Sequence, residues 1–336
     1  RVLVHYPGVE LIAEAKLSLL ADPYLLDYQA DGVPVLPPTM ALEAMAQAAV
    51  ALAGAPVRRA SDVTMRAPIV LPAGTPASQT VIRIYALREG DAVSVSVRCD
   101  NSGFAVDHCR ATFGAAVAAE ADEQPSGWAE AAAESLPVGE VYESPLFQTG
   151  RFRLLTGVLL TGSRSASAEA GLTAAASQPP WFGAARPATA RPARTGLVLG
   201  DAALADAALQ VVQAFVPDRR MLFAGCDSVW FSDAAATVAS GPARILAVQV
   251  PAARESAAVP RPRSESGDHA GPGGPAWQVR IADAAGRTLI SWNGLRMRDA
   301  GPLQHQDPEE TLAGAAGPKA AGPGGARPGA AGPGAA

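Results

Sequence analysis

The sequence predicts an α+β fold of two similar units, each a buried helix wrapped by antiparallel strands. Three observations carry that prediction. Residues from Thr39 or Met40 to Ala53 form an almost wholly apolar helix, residues 201–216 form a second, and several strand-like runs separated by turn residues follow each of them. At 336 residues the chain exceeds the usual size of a single core, and two cores of roughly 100–150 residues each are expected.

Taken in order, residues 9–20 (VELIAEAKLSLL) alternate as a half-buried strand does. A turn-rich loop from Asp22 then feeds the first helix. Pro37 and Pro38 suit a helix entrance but not its interior, Thr39 is placed to cap the first turn, and Gly54 is a natural stop. Between them the polar side chains are Glu43 and Gln47, while the alanines allow close approach of a sheet. Strand-like runs follow at 63–71, 79–87, 92–99 and 104–113, with turns at Pro72-Ala-Gly, Glu89-Gly and Asn101-Ser-Gly. The first unit is therefore expected over 1–115.

Residues 116–138, rich in Ala and Glu, read as a linker with a helical turn around Trp128. The second unit, 139–299, opens on a strand-like run at 147–162 and carries inserts at 163–195, around Trp181-Phe182-Gly183, and at 254–275. Its helix precedes strand-like runs near 221–231, 244–250, 276–281 and 288–297. Residues 300–336 are Ala, Gly and Pro with a few charges, the composition of a disordered tail.

A net charge of -5 and 27 Lys plus Arg without a dense run exclude a nucleic-acid partner and favour a small molecule or acyl chain. Three cysteines, Cys99, Cys109 and Cys226, are odd in number and lack C-x-x-C spacing, which argues against a disulfide framework and a zinc site and fits a reducing cytoplasm. No metal is expected. No apolar run reaches the length of a membrane span and no signal peptide opens the chain. A start at Arg1 rather than Met fits a domain cut from a longer polypeptide.

Two polar stripes mark the helices. Asp206, Gln210 and Gln213 fall at i, i+4 and i+7 of the second, and Glu43 and Gln47 at i and i+4 of the first. Such stripes either face solvent or, for Asp206 near a helix start where the dipole favours an anion, face a pocket between the units.

The spacing Tyr28-x-x-x-Gly32-x-x-x-x-Pro37 resembles the HxxxGxxxxP signature of polyketide synthase dehydratase domains, and Asp206-Ala-Ala-Leu-Gln210 resembles their DxxxQ/H signature. With SPLFQTGRF, WFGA and LVLGDAALADAALQVVQAFVP, the text from about residue 5 to 299 is similar to the dehydratase domain of iterative type I synthases that make enediyne polyenes. The resemblance implies a double hotdog, with the active site between its halves. It implies loss of water from a 3-hydroxyacyl thioester: a histidine removes the α-proton and an aspartate protonates the departing hydroxyl. Asp206 matches the acid and Gln210 its positioning partner. Gly32 and Pro37 match the loop presenting the base, and Pro145 and Phe147 fall in the substrate-binding stretch. No cofactor is implied beyond the phosphopantetheine of an acyl carrier protein, and the implied partners are that carrier, other domains of the same synthase and a polyketide thioester, with a homodimer as one arrangement.

Tyr28 stands where that family has its histidine, and His5, His108, His269 and His305 all fall outside the motif. At an unperturbed pKa near 10, only about one tyrosine in a thousand is phenolate at pH 7, which costs about 4 kcal/mol. Greater basicity recovers about half of that, but the longer reach of the phenol oxygen works against it, since misplacement by about 1 Å costs about a hundredfold. Two other departures are Glu143-Ser144-Pro145 in place of Tyr-Gly-Pro and Leu222-Phe223 in place of Leu-Pro. The expectation is a dehydratase-type domain with impaired or altered dehydration. The alternatives are a non-catalytic structural or chain-binding domain, a tyrosine introduced at position 28 to trap substrate, and, remotely, a hotdog thioesterase using Glu43. Arg219 with Arg220, and Arg151 with Arg153, are either carrier contacts or solvated surface charges.

Overall fold

A computed structural model describes residues 1–72, 75, 78–114, 134–162, 164–172, 181–182, 197–236, 241–250 and 275–302. Residues 1–302 make one compact unit. The turn at Trp128, His269, His305, the insert at 254–274 and the tail beyond 302 lie outside the described residues.

The first half contains β1 (Val2–Tyr6), β2 (Glu10–Leu17), a small hairpin of β3 (Gln29–Ala30) and β4 (Val33–Pro34), α1 (Pro38–Ala53), β5 (Arg59–Met65), β6 (Thr80–Glu89), β7 (Ala92–Cys99) and β8 (Cys109–Gly114). The second contains β9 (Glu134–Leu136), α2 (Val138–Glu143), β10 (Leu155–Gly162), β11 (Ser165–Leu172), α3 (Ala202–Ala214), β12 (Arg219–Phe231), β13 (Gly241–Val250), β14 (Ala276–Asp283) and β15 (Thr288–Pro302). All strands but β3 and β4 join one antiparallel sheet in the order β1-β2-β6-β7-β8-β5-β12-β15-β14-β13-β11-β10-β9. The halves are thus welded through the β5–β12 pair, where Gly225 lies opposite Thr64 and Val229 opposite Ala60. A side chain on Gly225 would collide with the Val63 carbonyl oxygen, so this glycine permits the close approach.

Alternation explains the strands. In β7, Val93, Val95, Val97 and Cys99 are buried while the residues between them are half-buried, and α1 packs across β6 and β7. Helix α3 packs on β11 to β14, and all its residues are buried. Both polar stripes therefore face the interior, apart from a half-buried Gln47, which excludes the solvent-facing reading.

Several local expectations change. Pro37, not Thr39, takes the N-cap position of α1; Thr39 falls inside the first turn, and its buried hydroxyl has no hydrogen-bond partner among the described residues. At α3 the cap is Asp201, which accepts from the amides of Ala203 and Leu204 at 2.8 and 3.3 Å. The run at 63–71 shifts to β5, because residues 66–71 instead meet the loop before α1 through Leu36 N to Ile69 O and Leu71 N to Pro34 O, both 2.9 Å. The run at 104–113 shortens to β8, since Phe104 takes a positive φ of 59° in a turn. Residues 134–136, expected in the linker, add edge strand β9, and residues 165–172, expected in an insert, form β11 between β10 and β13. Residues 147–154 form a loop with a 3-10 turn at Gly150–Phe152 and a single bridge at Gln148, rather than a strand.

Candidate active site

The loop ahead of α1 brings Tyr28 against the second half. Tyr28 forms an isolated antiparallel bridge with Gln148, and Thr149 N donates to Asp27 O at 2.9 Å. Arg151 is ion-paired to Asp27 and Arg220 to Asp31. Gly150 takes a positive φ of 51° where any side chain would strike the Asp27 carboxylate. The tyrosine ring is buried edge-on against Phe147 and Phe152, with centroids 5.1 and 5.2 Å away.

Its hydroxyl donates to Asp206 Oδ1 at 3.2 Å. The other carboxylate oxygen, Oδ2, accepts from Gln210 Nε2 at 2.8 Å, and the same nitrogen donates to Phe152 O at 2.8 Å. Gln210 Oε1 accepts from the Tyr142 hydroxyl at 2.8 Å, which in turn accepts from Leu155 N at 3.0 Å. Asp206 is fully buried. Burial pushes its carboxyl from the ordinary 3.8 to about 7, against hydrogen bonds from Gln210 and Tyr28 that favour the anion. Burial and then the neighbouring Asp206 charge push the Tyr28 phenol well above its ordinary value. Burial likewise raises Tyr142, to about 12.

Tyr28 also lines a cavity of about 280 Å³. Its other walls include Val35, Ile69, Phe147, Leu209 and Phe223, with Gln213 and Arg298 as polar members. Asp206 does not line it; Tyr28 both borders the cavity and bonds Asp206. Of the residues implied for the site, the fold brings together Tyr28, Asp206, Gln210 and Phe147. Gly32 shapes the β3–β4 turn at φ 75°, Pro37 starts α1, and Pro145 follows Ser144 through a cis peptide; none of the three lines the cavity.

Sequence reasoning missed Gln148 and Tyr142. Gln148 Nε2 donates to Gln213 Oε1 at 3.2 Å, and Gln213 Nε2 donates to Met221 O at 2.6 Å. A polar residue amid the aromatics of LFQTGRF was the available signal for Gln148; Tyr142 left none, because its partner lies 68 positions away.

The remaining candidates are accounted for structurally. Glu43 accepts from Val198 N and Leu199 N at 2.7 and 2.9 Å and from Gln47 at 2.8 Å, so it holds the approach to α3 and leaves the thioesterase reading without its activating residue. Arg219 pairs with Asp299, Arg220 with Asp31 and Arg151 with Asp27, and the Arg153 guanidinium lies over the Tyr142 ring at 4.7 Å. The four arginines thus have partners within the chain. His108 is buried between Pro68 O at 3.3 Å and Ser102 Oγ at 2.9 Å, a structural role, and His5 is exposed on β1. The three cysteines are buried free thiols. Among the described residues no group of three or more His, Cys, Asp or Glu is arranged for a metal, and no helix is long and apolar enough to cross a membrane.

Residues 4–98 match the family model described as polyketide synthase dehydratase domain. No curated protein sequence matches the chain. Among solved structures, the dehydratase domain from the CurJ module of curacin polyketide synthase is similar at TM-score 0.63 and 14% identity, covering 90% of this chain and 96% of that one. The CurF module's dehydratase domain is similar at 0.61 and 17%, covering 88% and 97%, and the GphF dehydratase at 0.59 and 19%, covering 89% and 97%. The chain therefore has the double-hotdog fold of a polyketide synthase dehydratase domain, and its residues 4–98 carry the sequence pattern of that domain.

Proposed function

We propose that this chain is a dehydratase-type domain of an iterative type I polyketide synthase, of the enediyne polyene branch. In this reading it binds acyl thioesters tethered to a carrier protein and is impaired in dehydrating them. The observation that carries the reading is the hydrogen bond from Tyr28 to Asp206. Ordinary dehydration needs a base for the α-proton and a free acid for the hydroxyl. Here the residue at the base position keeps its proton, because burial disfavours the phenolate more than in water. The same hydroxyl occupies one oxygen of the acid while Gln210 occupies the other. Solved dehydratases described as inactive mutants, one with histidine changed to phenylalanine and one with aspartate changed to asparagine, support the need for both groups.

Tyr28→His tests the proposal. Wild type and variant are each incubated with a 3-hydroxyacyl carrier-protein thioester, and loss of water is followed by mass. The variant should gain at least about a hundredfold in rate over the wild type. Dehydration by the wild type at a rate the variant does not exceed would sink the idea. A purely structural reading is favoured by the hydrogen bonds that Tyr28 and Gln210 make to the two oxygens of Asp206, and it requires that acyl thioesters fail to bind at all.

A further inference from the structure

Among the described residues that line the cavity beside Tyr28, Arg298 is the one charged side chain, and no carboxylate lies on the walls. Arg298 stands on β15 opposite Leu222 of β12, which lines the same space. Its guanidinium is anchored on one side only. Nη1 donates to Arg66 O at 2.8 Å and to Met65 O at 3.5 Å, at the end of β5. The Nε–H and Nη2 N–H bonds, which run parallel and form the edge that takes an oxyanion side-on, have no partner among the described residues. That edge is not sealed in protein: buried side-chain nitrogens without a partner include Arg220 Nε and Trp292 Nε1 but none of Arg298, which is half-buried. Gln213 leans the same way. Its amide oxygen accepts from Gln148 at 3.2 Å and its nitrogen gives one hydrogen to Met221 O at 2.6 Å, which leaves the second N–H unspent. The Tyr28 hydroxyl gives its proton to Asp206. Beside the weak Cys109 thiol, what the lining side chains still offer is donors.

We propose that the cavity binds a free carboxylic acid of moderate chain length, its carboxylate held side-on by Arg298 and its chain lying against Val35, Leu209 and Phe223. A carboxylate accepts hydrogen bonds and donates none, which matches the unspent donors, and its single negative charge balances the single guanidinium. The proposal goes beyond the thioester reading and does not rest on it, because a thioester brings no anion at its carbonyl. The phosphate of a carrier's arm is the other oxyanion this chemistry suits, and size opposes it. At about 280 Å³ the cavity is at the small end for ligand sites, and a pantetheine arm trailing from Arg298 would leave no room for an acyl chain. The class of reaction that supplies such an acid is hydrolysis of an acyl thioester, in which water's oxygen bonds the carbonyl carbon, the C–S bond breaks and the thiol takes the proton.

The test uses the full chain and four probes: octanoate, 1-octanol, phosphopantetheine, and the pantetheine amide of octanoic acid, which stands in for a thioester. Dissociation constants are read by calorimetry near neutral pH. Octanoate should bind at least about tenfold more tightly than octanol, the worth of hydrogen bonds between charged groups. Arg298→Gln should weaken octanoate by about tenfold to a hundredfold while shifting octanol by less than about threefold. Arg298→Lys keeps the charge, loses the two-pronged edge and should fall between; it carries the test if circular dichroism shows the glutamine variant unfolded. Octanoate no tighter than octanol, or octanoate unchanged in the folded variants, overturns the proposal, as does a dependence on Arg298 seen for phosphopantetheine and not for octanoate. Binding of octanoate without the amide overturns the thioester reading alone, and binding of the amide without octanoate overturns this proposal alone.

Discussion

Helices α1 and α3 carry the same device, a carboxylate with an amide four residues later, and put it to opposite uses. In α1, Gln47 donates to Glu43 at 2.8 Å, and in α3, Gln210 donates to Asp206 at 2.8 Å. Both carboxylates are buried, and burial raises both. Glu43 meets two main-chain amides that cannot move without moving the chain. Asp206 meets a side-chain hydroxyl on a loop from the other half. Fixed backbone donors make a carboxylate a latch, whereas side-chain donors leave it able to exchange partners and protons.

The largest test of that contrast is Glu43→Ala. It strands two amides near the start of α3 and should lower stability by about 5 kcal/mol, read from urea unfolding. A loss of about 1 kcal/mol or less would mean that Glu43 is no latch. Next comes pH. Asp206 ionises at its ordinary 3.8 when unfolded and at about 7 when folded. Between those values the folded state holds more protons, so the contribution is fully present below pH 4 and is lost as pH rises to 7, on the order of 4 kcal/mol. Asp206→Asn should remove that slope from the difference between variant and wild type; an unchanged slope would show that Asp206 ionises freely. The smallest effects belong to the amides. Gln210→Ala breaks bonds to Asp206, Phe152 O and Tyr142 and should cost about 3 kcal/mol, while Gln47→Ala, half-buried with one bond, should cost about 1 kcal/mol. Equal costs would erase the distinction between the helices.

Much of the frame was legible because it is written in local periodicity. The two helices and strands β6, β7, β13 and β14 lie close to where apolar spacing put them, since each buries one face against its own half. Tyr28, Asp206 and Gln210 were legible as a group through motif resemblance. Periodicity was silent on β9 and β11, whose Ser, Ala and Glu side chains look like linker until neighbouring strands cover them. It was silent too on Gln148 and Tyr142, whose roles come from partners 65 and 68 positions away. The direction of the polar stripes also depended on long-range packing: an amphipathic pattern reveals a polar face but not whether water or protein lies against it.

The seam at β5 and β12 has a consequence for recombination. Because Gly225 must meet Val63 without a side chain, and Tyr28 must find Asp206, the halves are matched along a hydrogen-bonded edge and again at the site. A chimera that takes one half from another protein of this fold inherits only half of each match. Its crossover would succeed where the foreign half supplies the glycine and a partner of the right length for position 206, so the two hotdogs travel as one heritable piece.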